Sequence, residues 1–171
     1  MKESVFRSSF FLLLVAAFFV NCNLYAQRNV AVGVRIGGTT GVSVKYFFKP
    51  DVALEGILGT FGNGTSLTGL LEKHQPVYDT PGLFVYYGGG AHLAFYNGRS
   101  RYYSNFGHEV DYYKNNNVGL GINGIVGLEY RFPADIPISV TFDLKPFIEF
   151  GSGGYVSGAI DPSVGLRFTI R

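Results

Sequence analysis

From Val30 onward the chain alternates. Val30, Val32, Val34 and Ile36 interleave with Ala31, Gly33, Arg35 and Gly37; Ile138, Val140, Phe142 and Leu144 interleave with Ser139, Thr141, Asp143 and Lys145. A period of two places successive side chains on opposite faces of an extended strand. Segments 30–37, 42–49, 52–61, 65–74, 83–96, 118–131, 138–149 and 160–171 all read this way, and none keeps a helical apolar period. Their lengths are close to the roughly 9–11 residues that a tilted strand needs to cross a bilayer. Turn-forming residues separate them: Gly37 to Gly41, Lys49-Pro50-Asp51, Gly62-Asn63-Gly64, Thr80-Pro81-Gly82, Pro133 to Pro137 and Gly151 to Gly154. An even number of antiparallel strands can close on itself and leave no edge unpaired. The expected fold is all-β: an eight-stranded antiparallel transmembrane β-barrel with up-and-down meander order.

The first 26 residues read differently. Lys2 and Arg7 make a basic start, Phe10 to Val20 is an unbroken apolar run, and small Ala26 precedes Gln27. That order is the pattern of a secretory signal peptide over 1–26; the apolar run is too short for a membrane-anchoring helix, the alternative reading. Cleavage after Ala26 leaves 145 of the 171 residues, one domain over 27–171. It also removes Cys22, the only cysteine, and with it any disulfide or thiol chemistry. Losing Lys2, Arg7 and Glu3 takes the formal net charge from +2 to +1, without the strongly basic face of a nucleic-acid partner.

Gly119, Gly121 and Gly124 satisfy the spacing G-x-G-x-x-G, which in a dinucleotide site follows a strand and opens a helix. Here Asn115-Asn116-Asn117 precedes the glycines, and Ile125 to Phe132 goes on alternating. These glycines read as strand residues, and no cofactor is expected.

Alternation does not say which face points inward, because a lipocalin-like soluble barrel alternates too. Three features favour lipid outside. The apolar parity is clean at mid-strand, and Val164, Leu166, Phe168 and Ile170 carry it to the end of the chain. Aromatics also gather at strand ends, as interfacial girdles require: Tyr46, Phe48, Tyr130, Phe132 and Phe168 at one rim, Phe61, Phe95, Phe150 and Tyr155 at the other.

The leader, the eight strands, GLEYRF at 127–132, PISVTFDLKP at 137–146 and VGLRFTIR at 164–171 together resemble small outer-membrane β-barrel proteins of Gram-negative bacteria, of the OmpA transmembrane-domain and OmpX architecture. The resemblance covers the whole of 27–171. It implies insertion in the bacterial outer membrane by the barrel-assembly machinery, contact with outer-membrane lipid and lipopolysaccharide, and a single-copy barrel. It brings no catalytic residues.

With the apolar parity given to lipid, the lumen receives Arg35, Lys45, Arg131, Lys145 and Arg167 together with Glu55, Glu72, Glu129, Asp143 and Glu149, five of each sign. An eight-stranded interior is just wide enough for side chains to fill, and an unpaired charge there costs several kcal/mol, so equal numbers point to a plug of paired charges. A gated path for ions or small solutes through rearranging pairs is the rival reading. His74, His92 and His108 lie far apart and in no metal-binding spacing; parity turns His92 into the lumen beside Gly88 and Gly90. Known outer-membrane lipid A deacylases carry His-x-Ser on one strand. Here the corresponding tripeptides are His74-Gln75-Pro76, His92-Leu93-Ala94 and His108-Glu109-Val110, so neither a metal site nor a lipid-modifying enzyme is expected. The polar connection from Asn97 to Asn117 is the longest, and holds Tyr102-Tyr103 and Tyr112-Tyr113 beside Arg101 and Lys114. Tyrosines with nearby charges suit an extracellular contact surface, a solvated cap being the alternative.

Overall fold

The computed structural model of the chain describes residues 30–62, 64–96, 118–133, 136–152 and 156–170. The expected signal peptide over 1–26, and the connection with Arg101, Tyr102, Tyr103, Tyr112, Tyr113 and Lys114, lie outside them. Eight strands run in order: β1 (Val30–Gly37), β2 (Thr40–Lys49), β3 (Val52–Phe61), β4 (Gly64–Pro76), β5 (Leu83–Tyr96), β6 (Val118–Arg131), β7 (Ile138–Gly151) and β8 (Val156–Ile170). Each pairs antiparallel with the next, and β1 also pairs with β8, closing a meander barrel. The strands follow the alternating segments closely. Differences fall at their ends, where β4 continues to Pro76, β7 to Gly151, and β8 begins at Val156.

Register keeps the two faces distinct all the way round. Val44 lies opposite Gly56, Leu54 opposite Leu71, Leu128 opposite Phe142, and Val164 opposite both Phe142 and Ile36. All of these face outward. On the inner face Lys45 lies opposite Glu55, Gly127 opposite Asp143, and Ser139 opposite Arg167. A one-residue slip of any strand would exchange its faces.

At the end that holds Val30 and Ile170, β2 and β3 are joined through Pro50 and Asp51 alone. In the β4–β5 turn Asp79 and Gly82 take positive φ, 63° and 85°, so the chain reverses and Gly82 O accepts a hydrogen bond from Arg131 N at 2.8 Å. Asp79 is one of the few side-chain types that tolerate this left-handed region. At the opposite end the β1–β2 turn is tied down: Gly38 N donates to Pro162 O at 3.1 Å, and Thr39 N donates to Asp161 Oδ1 at 2.9 Å.

Burial is inverted relative to a water-soluble barrel. Ile36, Ile122, Val156, Leu120 and Phe142 lie exposed outside, whereas Arg35, Lys45, Glu55, Glu72, Asp143 and Arg167 are buried within. Among the described residues no helix is long and apolar enough to cross a membrane.

Candidate functional site: the charged lumen

The lumen is built by the inward parity of all eight strands, and space for its long side chains comes from glycines on neighbouring strands. A Cβ at Gly127 would lie 2.6 Å from Tyr86 Cζ, one at Gly33 2.5 Å from Arg167 Cγ, and one at Gly119 2.5 Å from Glu149 Oε1. Gly121 has the His92 ring over it in the same way. Two glycines of the apparent dinucleotide fingerprint thus make room for Glu149 and His92. The third, Gly124, takes the outward parity. Gly127→Val is expected to cost roughly 1–3 kcal/mol through overpacking against Tyr86, read as a lowered urea midpoint of the folded barrel.

The ten charged residues expected in the lumen all take the inward face there. Toward the end carrying the termini, Lys45 Nζ lies 2.6 Å from Glu72 Oε2 and 3.5 Å from Glu55 Oε2. Arg167 donates to Glu55 at 2.5 Å, and Arg131 to Glu129 at 2.9 Å. Farther along the lumen Arg35 lies 3.1 Å from Asp143 and 3.6 Å from Asp161, and Lys145 lies 3.2 Å from Asp161. Ser163 and Tyr86 hydroxyls each donate to Asp143 at 2.9 Å. Arg131, about a third exposed at the rim, is the exception to deep burial.

Among the described residues Glu149 meets a histidine and a tyrosine. His92 Nε2 lies 2.9 Å from Glu149 Oε2, its Nδ1 lies 2.5 Å from Asn123 Oδ1, and the Tyr96 hydroxyl donates to Glu149 Oε1 at 2.5 Å. Phe61 belongs with this group rather than with an outward girdle: its ring meets that of buried Tyr96 edge-on at 5.4 Å.

Three members of the network carry no role in the sequence reading. His74 stands 3.2 Å from both Glu72 and Glu129 and stacks on Tyr86 with ring centroids 5.1 Å apart. Tyr86 is fully buried beneath Lys45, whose Nζ lies 4.5 Å from its ring centroid. Asp161 links Arg35, Lys145 and the β1–β2 turn, so the buried lumen carboxylates include one more than the equal count allowed. Signals for two of them were available: His74 is two residues from Glu72, and Asp161 keeps parity with Ser163, Gly165 and Arg167.

Such an arrangement can brace the barrel and fill its bore. Each buried charge that would be costly alone has an opposite charge or a polar donor in reach. Among the described residues no group of three or more His, Cys, Asp or Glu side chains is placed to hold a metal ion. No family model matches the chain, and no curated protein matches it.

Proposed function

We propose that the chain is an integral outer-membrane β-barrel protein, exported by the 1–26 leader, whose role is structural or surface-interactive and whose lumen is plugged by paired charges. The observation that carries this reading is the inverted burial. Every strand presents exposed Val, Leu, Ile or Phe outward. Soluble monomers rarely expose a contiguous apolar patch beyond a few hundred Å², whereas a barrel in lipid needs an apolar band about 25 Å tall. Aromatics at the strand ends support the same reading. Tyr46, Phe48, Tyr130, Phe132 and Phe168 lie exposed toward one rim, and Phe95 and Phe150 toward the other. Their rings have the apolar body and, in tyrosine, the polar tip that the headgroup level favours.

Heat-modifiable gel mobility of the protein in purified outer membranes tests the proposal, since a folded barrel migrates apart from its boiled form. Recovery in the soluble periplasm alone would sink it.

On this reading the connection 97–117 faces outside the cell, with Arg101 and Lys114 suited to anionic lipopolysaccharide and the four tyrosines supplying contact area. Deleting residues 101–114 and joining the ends with Gly-Asn is expected to leave assembly intact, because β5 and β6 pair over their whole length. Binding to cells or to lipopolysaccharide should fall at least several-fold. Unchanged binding would leave the connection as a cap.

A further inference from the structure

The lumen charges fall into sets that no ion pair joins among the described residues. Toward the termini, Lys45, Arg131, Arg167 and His74 meet Glu55, Glu72 and Glu129. Farther along, Arg35 and Lys145 meet Asp143 and Asp161. Beside these charges the inward parity turns apolar on three strands. The next inward position after Glu55 on β3 is Ile57, the one beyond Glu72 on β4 is Leu70, and past Glu129 and Gly127 on β6 comes Ile125. All three are buried and form one cluster with Tyr86.

Tyr86 spans the division. Lys45 and His74 lie on its ring, and its hydroxyl reaches Asp143 in the other set. Within each set an ion has exchangeable partners. Lys45 stands between two glutamates, and Asp161 stands between Arg35 and Lys145. The cluster contributed by β3 to β6 offers no such ligands, and a hydrophobic constriction closes a pore by excluding water.

We propose that Tyr86, with Ile57, Leu70 and Ile125, is the barrier that closes an ion path through the barrel, so that removing the Tyr86 ring opens the lumen to small inorganic ions. The inference rests on the membrane reading above, and it adds to the plug of paired charges an apolar cluster that keeps water out of the bore.

The test is conductance of the full-length mature barrel in planar bilayers bathed in potassium chloride, for wild type, Tyr86→Phe, Tyr86→Ala and Leu70→Ser. Wild type and Tyr86→Phe should stay closed, since the phenyl ring still fills the layer although the Asp143 bond is gone. Tyr86→Ala should raise the open-channel current at least tenfold, and Leu70→Ser, which hydrates the layer and keeps the Tyr86–Asp143 bond, should raise it less. Heat-modifiable mobility of each sample shows separately whether it folds and inserts. If one variant fails to fold, the other decides. A folded, inserted Tyr86→Ala or Leu70→Ser barrel that conducts no more than wild type overturns the proposal, and so does a wild type as conductive as the variants. A wild type that never inserts overturns the membrane reading itself.

Discussion

Arg35→Ala is expected to destabilise the folded barrel by about 3–5 kcal/mol, the cost of removing one partner from a buried pair. The guanidinium is 1% exposed and faces two carboxylates, Asp143 at 3.1 Å and Asp161 at 3.6 Å. Alanine leaves both acids in place. Asp161 keeps Lys145 and Thr39 N, but Asp143 loses its hydrogen-bonded cation and keeps the uncharged hydroxyls of Ser163 and Tyr86. The measurement is a urea titration of the reconstituted barrel followed by gel mobility. Arg131→Ala is the internal comparison. That side chain is 32% exposed at the rim, where solvent screens the pair, and its loss should cost under about 1 kcal/mol. Equal costs for the two replacements would mean that the lumen is hydrated and its pairs are not structural.

The contrast between these arginines shows what the sequence could and could not convey. Alternation alone sorted Arg35, Lys45, Glu55, Glu72, Asp143 and Arg167 to the inner face, because a period of two leaves no other choice once the apolar parity is outside. Which charge meets which was not legible. Arg35 pairs with Asp143, more than one hundred residues away, through a barrel closure that only the register of β1 with β8 and of β8 with β7 supplies. The apolar layer was hidden for a related reason. Ile57, Leu70 and Ile125 fall on the polar parity, so an alternation count treats each as a local lapse, and their convergence needs three different strands in register. Tyr86 was hidden too. Aromatics near strand ends suggest girdles, yet this ring turns inward because Gly127 lies directly opposite it on β6. The signal was a glycine on a neighbouring strand more than forty residues away.

Val126→Arg is the second large effect expected, and it bears on which solvent surrounds the barrel. Val126 faces outward near the middle of β6 and is 48% exposed. In water such a position accepts arginine at little cost, since a surface substitution away from caps and pairs usually stays within about ±0.5 kcal/mol. At the midplane of a bilayer the same change costs roughly 2–4 kcal/mol, and the cost falls toward the headgroups. Leu128→Arg, one outward position nearer the rim that holds Tyr130, should therefore cost less than Val126→Arg. The graded pair is informative because the two substitutions introduce the same side chain on the same strand and face at different depths, and the larger apolar group lost at Leu128 works against the expected decline. Both barrels are to be unfolded in urea from phospholipid vesicles, with refolding checked for reversibility. A cost that declines from Val126 to Leu128 is the signature of a lipid solvent outside. If both arginines are tolerated within experimental error, the outer face meets water, and the exposed apolar rows need another explanation.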